Sequence, residues 1–353
     1  VELTGDNRLL VKAGLPAICG SRNLGLRALL KAVELETANL DTFHLGFIIG
    51  PCINASGRLH TADQAVELFM TEDSQAAAEL AAHLVALNQQ RRDLTEAGVT
   101  AALNLVKAQG LDEDKVLVVY CSEVPDSVAG IIAGRLKELY HRPTIVIGGP
   151  VGRAILRGSC RSIEGYDIYE ALTGCRELLQ SFGGHPLAAG LSIAPAQIPA
   201  FRSLINQNCG LTAADLQPLY RIDCPLPVAL ADLTLARRLE DFAPFGKGNE
   251  QPCFGDKQLR LEGLTLIGRN EQALRWRLRT KNGKLVEAVD FQHKERLQNE
   301  ITATYGSQAW QALCRGCCPG GIVLDIIYTL SVNLFNGQEK AQLRIIDFRP
   351  AQA

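Results

Sequence analysis

Residues 115–148, KVLVVYCSEVPDSVAGIIAGRLKELYHRPTIVIG, decide the class of the fold. An apolar run of strand length at 115–120 is followed by a helical pattern at 126–140, with Asp126 or Ser127 expected near the cap of the helix. A second apolar run follows at 143–147. A strand, a helix and a strand in succession predict an α/β domain.

The same alternation continues to about residue 212. The pattern predicts further strands and helices at 152–157 (strand), 167–180 (helix), 187–193 (strand) and 197–208 (helix). We therefore assign residues 111–212 to one α/β domain.

The segment before this domain has a different composition. Residues 72–108 contain no proline, and their only glycine is Gly98. Leucines recur at helical spacing at positions 80, 84 and 87. This pattern predicts one long helix, or two helices end to end, that connects residues 1–70 to the α/β domain.

The C-terminal part is mostly β. Strands are predicted at 259–267, 273–279, 285–291, 322–332 and 341–348, with a helix at 293–305. Five strands with a helix between the third and the fourth is the order of an oligonucleotide/oligosaccharide-binding (OB) barrel. We assign this barrel and its proline-rich lead-in to residues 213–353.

The composition limits the class of protein. The chain has 353 residues, enough for two or three domains, and its formal net charge is −2, so any basic surface must be local. No apolar run approaches the ~20 residues of a membrane-spanning helix. The N-terminus has no basic-then-apolar signal pattern. We therefore expect a cytoplasmic protein without membrane association.

Eleven cysteines are scattered along the chain. A chain of this size and apolar content folds without disulfides, which favours buried free thiols. The one cluster, residues 314–318 (CRGCC), has a Cys-x-x-Cys spacing that is also compatible with two zinc ligands. No second pair follows at suitable spacing, so we assign no metal ligands.

A glycine-rich segment, residues 181–190 (SFGGHPLAAG), lies between a predicted helix and a predicted strand. Gly183 and Gly184 let backbone N–H groups approach an anion, and His185 can donate to a phosphate or carry a proton. Considered alone, the motif fits a glycine turn followed by a packed histidine better than it fits an anion-binding site.

Two further segments place an arginine beside small polar residues. In residues 158–162 (GSCRS), predicted as a loop after a strand, Ser159 and Arg161 could clamp a terminal phosphate, or Arg161 could pair with a carboxylate. In residues 54–58 (NASGR), Arg58 could face substrate, although a structural turn explains this segment better when it is taken alone.

A basic strand is predicted in the barrel. Alternation along residues 274–279 (LRWRLR) places three apolar side chains on one face and three arginines on the other, and two lysines bracket an Asn-Gly hairpin turn. These residues either bind a phosphate backbone or form an ordinary solvated strand face. The candidates are Arg275, Arg277, Arg279, Lys281 and Lys284.

Several catalytic motifs are absent from the sequence. It contains no phosphate-binding loop of the Gly-x-x-x-x-Gly-Lys type and no Gly-x-Ser-x-Gly elbow. The six histidines have no Asp-x-Asp or His-His neighbours of the kind that a two-metal phosphodiesterase needs. We therefore assign no catalytic residue in this chain.

Together the motifs resemble one family. Residues 50–58, 128–138 with Arg142-Pro143, 158–162, 182–185 and 244–249 are similar, in this order, to segments of the RecJ family within the DHH phosphoesterases. The resemblance implies the end of a DHH domain, a connector helix, a DHHA1 accessory domain and an OB barrel. It also implies a 5′-to-3′ exonuclease of DNA repair and recombination that acts on single-stranded DNA.

The resemblance also implies two Mn²⁺ or Mg²⁺ ions, held by aspartates and histidines of an N-terminal domain with an Asp-His-His motif. Residues 1–8 resemble the stretch after the last of these aspartates, so we expect the metal-binding segment to precede Val1. We expect this chain to bind single strands and to cleave nothing by itself.

By the same resemblance, the substrate-binding positions are Arg58, Ser159, Arg161, Gly183, Gly184 and His185. The sequence departs from the family at two positions: Cys52 replaces a frequent arginine, and Pro125 replaces a common histidine. Two alternatives remain. One is a phosphodiesterase for short oligonucleotides or cyclic dinucleotides, and the other is a non-catalytic single-strand-binding scaffold.

Overall fold

The computed structural model describes residues 1–35, 40–268, 271, 273–316, 320–335 and 337–351. The chain divides into two compact units: Ala17–Leu219, and a second unit that combines Val1–Pro16 with Tyr220–Ala353. The boundaries that we predicted at residues 70, 110 and 212 stay predictions.

A helical layer begins the first unit, and its apolar side chains pack against the connector helix. Its helices are α1 (Gly5–Cys19, which begins in the other unit), α2 (Leu24–Ala32), α3 (Thr42–His44), a π-helical turn (Leu45–Ile49), α4 (Gly50–Leu59) and α5 (Asp63–Met70). The turn that we considered at residues 54–58 is wrong, because this segment is the second half of α4. Cys52 and Ala55 recur at helical spacing and are buried in the layer's core.

The connector is one continuous helix, α6 (Ser74–Gln109). The Asp73 side chain accepts from the Gln75 N–H and caps its start, and Gly110 ends it in the left-handed conformation with a φ of 60°. Gly98 lies where α6 and α7 approach closely, because an added Cβ would lie 2.5 Å from Cδ1 of Ile132.

The α/β domain contains a five-stranded sheet. In sheet order its strands are β1 (Leu117–Cys121), β2 (Thr144–Gly148), β3 (Leu156–Arg161), β5 (Ala188–Ile193) and β4 (Ser181–His185). β1 and β2 are parallel and flank α7 (Asp126–Tyr140), while the other pairs are antiparallel. α8 (Ile168–Thr173) and α9 (Ile198–Gln207) complete the domain. The predicted strand–helix–strand unit is confirmed.

The bounds of two predicted elements in this domain are wrong. The strand expected at 152–157 begins at Leu156 and runs to Arg161, because residues 151–152 form a turn in which Gly152 has a φ of 91°. The helix expected at 167–180 ends at Thr173, and a single 3₁₀ turn, Arg176–Leu178, follows. Both errors come from the ends of elements, where local pattern is weakest.

The C-terminal unit contains the predicted closed barrel. Its elements are β6 (Cys224–Pro225), α10 (Leu233–Glu240), β7 (Cys253–Ile267), β8 (Ala273–Arg279), β9 (Leu285–Asp290), α11 (Lys294–Tyr305), α12 (Ser307–Cys314), β10 (Val323–Phe335) and β11 (Gln338–Pro350). Antiparallel pairing of β10 with β7 and parallel pairing of β11 with β9 close the barrel. Trp276 and Tyr328 fill its core.

The segment that leads into the barrel is held by hydrogen bonds. The Asn249 amide donates to the carbonyls of Phe242 and Pro244 at 3.0 and 2.9 Å. The Arg8 guanidinium also donates to Phe242 O, at 2.9 Å, and the Leu3 N–H donates to Lys247 O at 2.7 Å. Residues 1–8 therefore pack on this lead-in within their own unit.

Candidate nucleic-acid interface

The side chains of Ser159 and Arg161 lie on one face of a strand. We predicted a loop for residues 158–162, and this is wrong for all but the last, because 158–161 belong to β3 and pair with β2 and β5. Alternation along the strand turns Ser159 and Arg161 toward α7, while Gly158 and Cys160 are buried on the opposite face.

The glycine-rich segment is also a strand rather than a loop. Residues 181–185 form the edge strand β4, and residues 186–187 turn into β5. Gly184 is required there, because its φ is 152° and an added Cβ would lie 2.4 Å from the Ala188 carbonyl oxygen. Gly183 faces open space, and the exposed His185 accepts the Leu187 N–H at its Nδ1, 3.4 Å away.

The strand register aligns the predicted residues in two rows across the sheet. Ser159 lies opposite Gly190, which lies opposite Gly183. In the next row, Arg161 and His185 both lie opposite Ala188. Opposed residues project from the same face, and neighbouring strands are about 4.8 Å apart. The hydroxyl, the guanidinium and the imidazole therefore share one face within roughly 10 Å.

Arg58 joins this face from the helical layer. Its Nη1 donates to the Ser127 carbonyl oxygen at 3.2 Å, which places the guanidinium at the first turn of α7. The Nη1 of Arg161 donates to Ser159 Oγ at 3.2 Å and to the Cys160 carbonyl at 2.8 Å. The cap expected at Asp126 or Ser127 is wrong, because Pro125 is the N-cap residue of α7 and no side chain caps the helix.

Four arginines form a cluster of positive charge around Arg58: Arg58 itself, Arg91, Arg92 and Arg161. Burial lowers the pKa of Arg161, and the nearby charge of Arg58 lowers it further, although Cys160 opposes the shift. Burial also lowers the pKa of Arg91, with contributions from Arg92 and Arg58. None of these four arginines has a carboxylate within ion-pair distance among the residues that the structure describes. Such a cluster favours an anionic ligand.

Our sequence reasoning missed Arg91 and Arg92. The available signal was an arginine pair on the connector helix in which Arg91 has no acidic residue three or four positions away. The Nε of Arg91 donates to Asn88 Oδ1 at 3.2 Å, and the buried Asn88 amide donates to Cys52 Sγ at 3.3 Å. Burial raises the pKa of the Cys52 thiol, which favours its neutral form.

A cleft of about 640 Å³ opens beside the first row. Its polar lining includes Ser127 and Ser159. It also includes Arg157, Ser181 and Ser192, which pair in a third row across β3, β5 and β4. We did not select these three residues from the sequence. A signal was available for Arg157, because it lies two residues before Ser159 on the same strand and therefore on the same face.

The predicted alternation along β8 is present in the barrel. Arg275 is exposed, Arg277 and Arg279 are half-buried, and the apolar residues between them are buried. The Arg277 Nη2 donates to Gly316 O at 3.3 Å. Arg279 donates to both oxygens of Glu262, at 2.7 and 3.2 Å. One of the three arginines therefore already has a carboxylate partner.

The two predicted lysines differ in their surroundings. The Nζ of Lys284 donates to the Ala229 carbonyl at 2.7 Å, whereas the exposed Lys281 lines a second cleft at one end of the barrel. The five basic candidates thus do not form one continuous row.

Metal ligands are not gathered in the described parts of the chain. There, no three His, Cys, Asp or Glu side chains come close enough to hold an ion, so we assign none to a metal. The cysteine cluster at residues 314–318, whose spacing is compatible with two zinc ligands, includes Cys317 and Cys318, which lie outside the described residues. Five of the described cysteines are buried free thiols. In the described residues, no helix is both long and apolar enough to span a bilayer.

Family models match both domains in the predicted order. The DHHA1 domain model matches residues 113–210, and the RecJ OB domain model matches residues 222–347. The chain belongs to the RecJ family. The resemblance that we drew from the motifs, and the order of an accessory domain before an OB barrel, are confirmed.

Curated RecJ proteins align with nearly the whole chain. The single-stranded-DNA-specific exonuclease RecJ of Bacillus subtilis is 33% identical over 98% of the chain, and that of Dickeya dadantii is also 33% identical over 98%. The chain covers 42% of the first protein and 58% of the second, so it spans about half of the length of these relatives.

A solved structure is similar over the whole chain. The crystal structure of Thermus thermophilus RecJ in complex with Mn²⁺ matches with a TM-score of 0.77 and 28% sequence identity. The match covers 100% of this chain and 48% of the Thermus thermophilus chain. A RecJ structure from the same organism in complex with Mg²⁺ has a TM-score of 0.76.

Proposed function

We propose that the whole protein is a single-stranded-DNA-specific 5′-to-3′ exonuclease and that this part grips the strand. One observation carries the proposal: Arg58 and Arg161 converge beside Ser159 without a carboxylate partner. The curated relatives are single-stranded-DNA-specific exonucleases, which supports the same conclusion.

The proposed binding site for the 5′-phosphate, which we call the grip, consists of Arg58, Ser159 and Arg161. The guanidinium groups of Arg58 and Arg161 bind the phosphate oxygens, because paired N–H donors match phosphate geometry. The Ser159 hydroxyl supplies a further donor. Backbone groups of the glycine strand and the exposed His185 then contact the first nucleotides. Basic residues of the barrel, such as Arg275 and Arg277, bind the strand further along.

We further propose that the reaction uses two Mn²⁺ or Mg²⁺ ions bound outside this part of the protein. The metal complexes of Thermus thermophilus RecJ support the use of divalent ions. The protein acts on DNA during repair and recombination in the cytoplasm. Residues 1–70 close the catalytic domain, and 71–110, 111–212 and 213–353 are the connector, the DHHA1 domain and the barrel with its lead-in.

A phosphodiesterase for short oligonucleotides fits less well. Its substrate of a few nucleotides needs no basic barrel to track a strand, whereas a barrel domain of the RecJ type is present. A non-catalytic binding scaffold would use the same residues, and a digestion assay separates it from an exonuclease.

Fluorescence anisotropy with oligothymidine, with and without a 5′-phosphate, tests the grip. We expect tighter, salt-sensitive binding of the phosphorylated end, and we expect Arg161→Ala to abolish this preference with a loss of about 1.5–3 kcal/mol for a charged hydrogen bond. Arg135→Ala is the control, because this exposed arginine lies elsewhere on α7.

Equal binding of both 5′ ends by the wild type would refute the grip. In the full-length protein, metal-dependent digestion that favours the 5′-phosphorylated strand is expected. Binding without any digestion would support the scaffold instead.

A further inference from the structure

The second cleft, at one end of the barrel, has a volume of about 670 Å³. Its lining includes neither Arg275 nor Arg277, so it is distinct from that part of the β8 face. Arg260 and Arg279 face it from paired positions on β7 and β8, and Lys281 faces it from the hairpin after β8. Three cations from two strands and one turn therefore meet at this cleft.

The charge of the cleft is not balanced by its surroundings. Glu262 is the carboxylate bound to Arg279, and the hydrogen bond from Arg279 lowers its pKa, with smaller contributions from Arg260 and Arg277. Neither Arg260 nor Lys281 has a carboxylate within ion-pair distance in the described ranges. The cleft thus retains a positive surplus that suits an anion.

An aromatic ring completes the cleft. Tyr305, the last residue of α11, remains 45% exposed, and its hydroxyl donates to the Gly321 carbonyl at 3.4 Å. The ring lines the cleft together with Val323 and Pro350. An exposed aromatic side chain next to unpaired cations is the combination that binds single strands irrespective of sequence.

We propose that this cleft binds one nucleotide of a single strand, with the base against Tyr305 and the phosphate between Arg260 and Lys281. The proposal rests on single-strand binding by the barrel, as proposed above. An acidic peptide would meet the same charges. However, peptides commonly add to an open sheet edge, and β7, β8 and β10 are each paired on both sides.

Photo-cross-linking tests the contact directly in this chain. An oligothymidine with a 5′-hydroxyl and 5-iodouracil in place of some thymines is irradiated with the protein, and the products are digested and analysed by mass spectrometry. A cross-link on the peptide that contains Tyr305 is expected. Cross-links confined to other peptides would overturn the proposal.

Binding by variants provides the second measurement. We expect Tyr305→Ala to weaken oligothymidine binding by roughly 5- to 150-fold and Tyr305→Phe to retain it, because stacking needs the ring and not the hydroxyl. Lys281→Ala should reduce the salt slope by about 0.7. Arg238→Ala removes an exposed cation of α10, outside the cleft, and serves as control.

The outcomes separate this proposal from the proposed function. If Tyr305→Ala keeps its affinity for oligothymidine and its preference for a 5′-phosphate, the proposed nucleotide site in the cleft is refuted. The proposed 5′-phosphate site is not affected by that result. An acidic peptide that binds wild type but not Lys281→Ala, without a cross-link at Tyr305, would also overturn it in favour of a peptide site. The 5′-phosphate preference of Arg161→Ala tests only the grip, because Arg161 does not line the barrel cleft.

Discussion

Gly130 shapes the proposed phosphate grip through the side chain that it lacks. It lies in the middle of α7, where glycine costs a helix about 1 kcal/mol relative to alanine. An added Cβ would lie 2.8 Å from both Arg161 Nη2 and Ser159 Oγ. Glycine at this position therefore lowers the stability of the helix but leaves room for the side chains of Arg161 and Ser159.

Gly130→Ala should separate stability from binding. We expect the 5′-phosphate preference in anisotropy to fall by on the order of tenfold, which corresponds to the loss of about one hydrogen bond to a charged group. Thermal stability should change little, because the gain in helix propensity offsets the crowding. Gly134→Ala is the matched control, since nothing lies within 4 Å of its added Cβ.

In Gly134→Ala we expect about 1 kcal/mol of added stability and unchanged binding. If both variants kept the full preference for a 5′-phosphate, the placement of Arg161 beside α7 would not matter for binding.

At the scale of elements, the β4–β5 hairpin brings Gly183 and His185 into the rows of Ser159 and Arg161. Its edge strand contains two glycines in five residues, which is a poor composition for a strand. Pairing with β5 holds it, and the close approach of Gly184 to Ala188 and Ala189 is part of that pairing. The hairpin is therefore maintained by its neighbour rather than by its own propensity.

Two alanine substitutions in this hairpin should differ sharply. Gly184→Ala places a Cβ 2.4 Å from a backbone oxygen, and we expect a loss of roughly 1–3 kcal/mol in the free energy of unfolding with faster hydrogen exchange along β4. Gly183→Ala meets nothing within 4 Å and should change stability by less than about 0.5 kcal/mol. Equal losses would contradict the register described above.

At the scale of the whole molecule, the two units have separate buried cores. The barrel core is centred on residues such as Trp276 and Leu278, whereas the other unit buries residues such as Leu136 and Leu172 in cores of its own. Each core joins elements of one unit, so each unit has its own source of hydrophobic stability.

Calorimetry should resolve this division. Leu136→Ala should destabilise the unit Ala17–Leu219 by about 2–5 kcal/mol, because Leu136 is fully buried, and should lower the melting temperature of one transition only. Leu278→Ala should lower the other transition by a similar amount. A single transition that responds equally to both substitutions would mean that the units unfold together.

The sequence by itself determined the types and the order of most elements. Residues 115–148 specify strand, helix and strand through local periodicity, and the alternation around Trp276 specifies β8 in the same way. The motifs also indicated the RecJ family, because several short segments had to match in one order. These signals lie within a few residues of one another along the chain, so sequence reasoning can find them.

Only the tertiary structure decided how the candidate residues meet. Ser159 and Gly183 share a row through Gly190, and this register depends on pairing between distant segments that no local pattern encodes. For the same reason, residues 158–161 and 181–185, which look like loops, are strands. Arg91 joins the cluster because a long helix packs against α4, and that approach is a property of the packed core.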